Sequence, residues 1–219
     1  MVGREIFQSE LEKVEALIIE LARKTKEQLR SAVEALHSSD TEKAREIIEA
    51  DRELDKLDFK INETAILLIA RQQPVATDLR RLVVAIRISS DLERMADNAK
   101  NVAKSAIHLG EDHGIDIHSS IKEMQEIAIK MIDLAISAYE NEDITLARKL
   151  ADLDDIIDSM YSSMLRELLE ETATNPQKIQ HIMQMAFSGR YVERIGDHAT
   201  NIGEDVMYLV KGESADLNE

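Results

Sequence analysis

Glu93, Arg94, Asp97, Ala99 and Asn101, in the segment running from Asp91 to Asn101, recur at an offset of 100 as Glu193, Arg194, Asp197, Ala199 and Asn201, between Tyr191 and Asn201. On a helix, positions i, i+4 and i+8 share a face, so each copy gathers two carboxylates and an amide into one stripe. Two like charges four residues apart repel on a bare helix and cost more when that face is buried. A metal cation is the economical partner.

A second acidic pair repeats beside the first. Asp40-Thr-Glu-Lys-Ala44-Arg45 aligns with Asp143-Ile-Thr-Leu-Ala147-Arg148 at an offset of 103, which also places Asp51 on Asp154 and Asp55 on Asp158. The change from 103 to 100 requires a three-residue deletion in a proline-containing turn, where length changes are tolerated. Each half therefore carries Asp-x-x-x-Asp on its middle helix and Glu-x-x-x-Asp on its last. Antiparallel neighbours of similar length bring these stripes together, so four carboxylates converge per half. Such an oxygen set suits Mg²⁺, Ca²⁺, Mn²⁺, iron or Zn²⁺ and is poor for Cu(I).

An isolated acidic pair on a charged helix is usually solvated surface. Four pairs kept in register across two halves are not explained that way. Asn101 and Asn201 read equally as ligands and as donors that orient ligands. His198 stands where the first copy has Asn98, which argues against a symmetric ligand role. His37, His108, His113, His118 and His181 have no paired spacing and are expected at the surface. Arg94 and Arg194 follow their glutamates directly and should point away from the ligand stripe, toward a surface ion pair or a partner.

Enzyme chemistry is less well served. A ferritin-like di-iron centre needs Glu-x-x-His on two helices, which is missing here. No Gly-x-Ser-x-Gly, Walker A or dinucleotide-binding glycine pattern occurs. A carboxylate-bound metal that activates water, as an oxidoreductase or hydrolase, stays as the alternative. A plain helical scaffold is the other.

The elements that must position these groups follow from composition and periodicity. With 2 Pro, 7 Gly and 3% aromatics in 219 residues, long helices are favoured over turns, and an all-α chain is predicted. Cysteine is absent, which excludes disulfides and thiolate sites. The amino terminus lacks an apolar signal region and stretches such as 82–86 are too short to span a bilayer, so a cytoplasmic protein is expected. A formal charge of −16 repels a phosphate backbone, with Arg80, Arg81 and Arg87 the nearest approach to a basic patch, so no nucleic-acid partner is expected.

Six helices are predicted. The first carries Phe7, Leu11, Val14, Ile18, Leu21, Leu29, Ala32 and Leu36 at spacings of three and four and stops near 37–40. Asp40 then caps a helix over about 41–71, ended by Gln72-Gln-Pro74. The third runs from Ala76 or Thr77 to Leu109. Helix four covers roughly 118–141, helix five begins after Glu142-Asp143, and helix six follows Asn175-Pro176. The Gly110-to-Gly114 link divides the chain into two three-helix bundles, 1–110 and 115–212, with a disordered tail at 213–219. The fold expected is two tandem antiparallel bundles related by internal duplication.

Gln73-Pro74-Val-Ala-Thr-Asp78-Leu-Arg80, followed by Asp91-Leu-Glu93-Arg94-Met-Ala-Asp97-Asn and Tyr191-Val-Glu193-Arg194-Ile-Gly-Asp197-His198-Ala-Thr-Asn201-Ile, resembles the PhoU family of phosphate-signalling proteins over nearly the whole chain, to about Leu209. The pattern departs from strict repetition at Asn98 against His198 and at Asp91 against Tyr191. The resemblance implies a cytoplasmic pair of three-helix bundles, often dimeric, whose motifs bind multinuclear iron or zinc clusters. It implies that Asp51, Asp55, Glu93 and Asp97 line one site, and Asp154, Asp158, Glu193 and Asp197 the other. It further implies a negative regulator of the phosphate-starvation response that contacts the importer's ATPase subunit and the phosphate-sensing membrane histidine kinase, and meets the membrane through them.

Overall fold

The computed structural model describes residues 2–111, 114–213 and 216–217. Six long helices account for almost all of them: α1 (Val2–Ser38), α2 (Thr41–Gln72), α3 (Ala76–Leu109), α4 (Ser120–Asn141), α5 (Ile144–Thr174) and α6 (Ile179–Lys211). The low glycine and proline content lets each helix run uninterrupted until a local stop signal ends it.

Those stop signals repeat. Ser39 and Glu142, 103 residues apart, both take the left-handed conformation, and each is followed by an aspartate that caps the next helix. Asp40 accepts from the Lys43 amide at 2.8 Å, and Asp143 from the Thr145 and Leu146 amides at 2.7 and 3.2 Å. Each cap satisfies amides that have no intrahelical partner. Before α3, Gln73 closes α2 in the left-handed conformation. The corresponding turn before α6 is built differently. Pro176–Lys178 form a 3₁₀ turn ahead of the α-helix, because proline takes the first position of a helical turn at no hydrogen-bond cost. Helix α4 begins at Ser120, two residues later than the periodicity indicated, and the His118 ring accepts from the Ser120 amide at 3.2 Å.

Within each half the helices pack as predicted, α1, α2 and α3 together and α4, α5 and α6 together. The halves also share a core. Helices α3 and α6 lie against one another, α1 touches α4, and one cluster of buried side chains runs from Val14 through Ile88, Leu92, Met131 and Ile195 to Leu209. A satellite cluster of Phe7, Leu11, Ala65, Leu68 and Leu82 closes one end of the first half. The two repeats therefore share one continuous interior across the Gly110-to-Gly114 link. Of the expected tail, 214–215 and 218–219 lie outside the described residues. Leu217 packs against the core and its amide donates to Glu204 at 3.0 Å.

Candidate metal centre

In the second half, α5 supplies Asp154 and Asp158, and α6 supplies Glu193 and Asp197. Their apolar neighbours Leu150, Ile157 and Met164 on α5, and Val192, Ile195 and Ala199 on α6, are buried, which forces the acidic stripes to face each other across the seam. Asp158, Glu193 and Asp197 each offer a carboxylate oxygen to one point, with these atoms within 4.8 Å of one another. Asp154 and Glu193 are only 6% exposed, and Asp154 Oδ1 and Glu193 Oε2 are buried without a hydrogen-bond partner. A bare buried carboxylate oxygen loses its hydration with nothing in return.

The electrostatics agree. Burial, then the charges of Asp158 and Asp197, push the Asp154 carboxyl up to about 7. Burial and Asp197 likewise push Glu193 up to about 7, against the opposing pull of Arg190, whose guanidinium donates to Glu193 Oε1. Asp158 is raised by burial and by Asp197. A divalent cation removes each of these penalties at once and is matched by the all-oxygen donor set. The backbone makes room for this approach: a Cβ on Gly196 would sit 3.1 Å from Asp154 Oδ1 and 3.5 Å from Met131 Sδ.

The first half brings Asp51, Asp55, Glu93 and Asp97 together at the α2–α3 seam, and Asp58 joins them. Burial raises the Asp55 and Glu93 carboxyls, with smaller contributions from Asp51, Asp97 and Asp58. Here the protein supplies its own donors. Lys100 reaches from α3 to bond both Asp51, at 2.5 Å, and Asp97. Gln28 of α1 donates to Asp51 at 2.9 Å, and Ser89 to Asp58 at 2.5 Å. Burial lowers the Lys100 pKa, but the hydrogen bonds to Asp51 and Asp97 outweigh it and the ammonium is held charged. At the two repeat offsets Lys100 corresponds to Thr200 and Gln28 to Met131, neither of which can play these parts. Thr200 instead donates to the Asp197 carbonyl at 2.7 Å.

Asn101 and Asn201 make their hydrogen bonds to other groups. Eight residues advance a helix by about 80° beyond two full turns, so the amide sits at the edge of the stripe that i+4 keeps. Asn101 accepts from Lys104 at 3.0 Å, and Asn201 donates to Asp91 at 3.3 Å across the α3–α6 interface. His198 joins it there, its Nδ1 2.9 Å from the same Asp91 oxygen, which gives this histidine a role between the halves rather than at the cluster. Arg94 and Arg194 are exposed, as their positions required. Among the other histidines, His108 is exposed, while His118, paired with Glu167 at 3.1 Å, and His181 are partly buried. His37 is likewise partly buried, and burial lowers its pKa, so His37, His118 and His181 all depart from the expected surface placement. His113 lies outside the described residues.

The PhoU domain model matches the chain twice, over residues 18–106 and 121–206, which together span both halves and both carboxylate clusters. The chain belongs to the PhoU family. It is 34% identical over 217 residues to the phosphate-specific transport system accessory protein PhoU homolog of Clostridium acetobutylicum, covering 99% of each chain. Against the homolog of Aquifex aeolicus it is 37% identical over 204 residues, covering 93% of this chain and 92% of the relative. The crystal structure of PhoU from Pseudomonas aeruginosa superposes with a TM-score of 0.89 at 33% identity, covering 94% of this chain and all of that one. The phosphate transport system regulatory protein PhoU of Streptococcus pneumoniae follows at 0.88 and 28%, covering 96% of this chain and 99% of that one. The PhoU fold is thus common to all three structures, and the duplication read from the motif offsets coincides with the two domain matches.

Proposed function

We propose that this PhoU-family chain is a metal-binding, non-enzymatic regulator of phosphate uptake. In this reading it restrains phosphate-starvation signalling as an adaptor between the importer's ATPase subunit and the phosphate-sensing histidine kinase. The full-length relatives named as accessory proteins of the phosphate-specific transport system support the regulatory part. The bare buried oxygens of Asp154 and Glu193 carry the metal part, because an acidic surface built only for solubility would leave its carboxylates in water.

When bound, a cation of the iron, zinc, manganese, magnesium or calcium type supplies the positive charge that the carboxylate stripes lack. Asp154, Asp158, Glu193 and Asp197 would hold it at the α5–α6 seam, and Asp51, Asp55, Glu93 and Asp97 at the α2–α3 seam. The residues themselves set the rest: α5 and α6 are tied at one register, and the exposed faces of those helices are presented in a fixed orientation to a partner. Among the described residues no helix is long and apolar enough to cross a membrane; in this reading contact with the importer runs through its ATPase subunit. A homodimer in the cytoplasm is the proposed working form.

The test combines genetics with affinity capture. Cells lacking the protein should over-express phosphate-scavenging genes while phosphate is plentiful, and the tagged chain should co-purify with the importer ATPase or the kinase. Normal repression in the deletion strain would overturn the regulatory reading. Purified chain free of metal by elemental analysis, and unable to take any up, would overturn the metal reading.

A further inference from the structure

The two carboxylate clusters are equal in motif and unequal in surroundings. At the α2–α3 seam Lys100 spends two of its three ammonium donors on Asp51 and Asp97, and Gln28 takes the other oxygen of Asp51. At the α5–α6 seam the corresponding positions hold Thr200 and Met131, and two carboxylate oxygens are left bare. We propose that Lys100 is a built-in cation that competes with metal at the first cluster, so that the α5–α6 centre fills first and the α2–α3 centre fills only as Lys100 is displaced. This inference rests on the metal reading above.

The physical reason is a difference in what a metal must displace. At the α5–α6 cluster an arriving cation meets unpaired anionic oxygens whose desolvation is already a cost of folding, and Arg190 pairs with Glu193 from the rim. At the α2–α3 cluster it meets carboxylates that already share a unit positive charge. Binding there must break two charge-assisted hydrogen bonds and bring the metal's charge close to the ammonium's unless the latter leaves. Lys100 can leave. Its side chain is partly exposed, and its four-carbon stem lets the ammonium swing to solvent without moving the helix. A flexible lysine thus acts as a reversible occupant, which a rigid, buried arginine could not.

Manganese(II) titration of the full chain, stripped with chelator and then freed of it, reads the order directly, because free Mn²⁺ is counted by its electron paramagnetic resonance signal. The wild type should show a tight and a weak class of sites. Lys100→Thr, which copies the second half, should tighten the weak class by about tenfold or more, since removing a unit charge within hydrogen-bond reach carries at least that much. Lys100→Met, neutral and of similar length, should do the same, while Lys100→Arg should leave the weak class weak. Glu193→Gln should abolish the tight class and spare the weak one.

The proposal is overturned if the wild type shows a single class, or if both neutral variants, at wild-type helicity, keep the weak class unchanged. It is likewise overturned if the weak class, rather than the tight one, disappears in Glu193→Gln. In each of these cases the metal reading survives, whereas a wild-type chain that binds no Mn²⁺ and no other offered divalent cation ends both.

Discussion

Glu193→Gln should make the metal-free protein more stable, although it removes a group that the fold holds in place. Glu193 ordinarily titrates near 4.5 and is raised to about 7 in the folded chain. A raised carboxyl contributes stability that is fully present below pH 4.5 and lost as the pH climbs through 7, because the folded state holds the proton more tightly than the unfolded one. At about 1.36 kcal/mol per unit the shift corresponds to roughly 3 kcal/mol at pH 8. Asp154 is raised alongside it and both feel Asp158 and Asp197, so the two share one penalty, and neutralising Glu193 alone should return about 1–2 kcal/mol. Glutamine keeps an oxygen for Arg190 and places an amide donor among the remaining acceptors. The assay is urea unfolding in excess chelator at pH 5 and pH 8. The wild type should lose stability between the two, and the variant should lose less and be the more stable at pH 8, with the denaturant slope unchanged. Adding Mn²⁺ at pH 8 should reverse the ranking, since metal binding requires the ionised ligand. A variant less stable than wild type in chelator at pH 8, or one with the same pH slope, would refute the argument that bare buried charge is the dominant cost at this seam.

Gly203→Ala should lower stability by about 1–3 kcal/mol, as overpacking does, because the added Cβ would lie 2.7 Å from Leu150 Cδ1 and 3.2 Å from the Ala147 carbonyl; thermal unfolding checks it. Asp91→Ala removes the acceptor shared by His198 and Asn201 and should cost about 1–3 kcal/mol by stranding buried donors. Manganese bound at the α5–α6 centre should be retained in Asp91→Ala, and its loss would place Asp91 among the groups that hold the metal.

Much of the architecture was legible because the signals were local and repeated. Periodicity located the buried stripe of α1, Asp40 announced its cap and Glu142-Asp143 the start of α5, since each requires only a few residues to agree. The offsets of 100 and 103 located both carboxylate clusters, because neighbouring antiparallel helices leave their facing stripes little choice. What escaped the reading depends on rotation and distance between helices. The i+8 asparagines sit at the edge of the stripe in a written motif, and their partners, Lys104 and Asp91, could not be read from it. Lys100 sits inside the quoted motif and still gave no sign of its role, because its ammonium reaches Asp51 only through a contact between α2 and α3. The mismatch of Lys100 with Thr200 was the available signal. The shared core between the halves was hidden for a related reason: Asp91 and His198 differ from their repeat counterparts, and such differences mark the surface where two copies of a unit meet.

The three glycines inside α6 recur every seven residues, at 189, 196 and 203, and all face α5; α3 has Ser89, Ala96 and Ala103 at the matching places. Seven-residue spacing keeps a line of contacts in step with the gentle left-handed wind of packed helices, so the second half gains close approach along its whole seam. Each interior glycine also lowers the helix's own tendency to form, by about 0.5–1 kcal/mol relative to alanine. The duplicated halves are thereby given different inherent resistance to local opening, with α6 weaker than α3 whenever its packing against α5 is loosened. Stability in this molecule is distributed so that the helix bearing the bare Glu193 carboxylate depends most on its neighbour for its order.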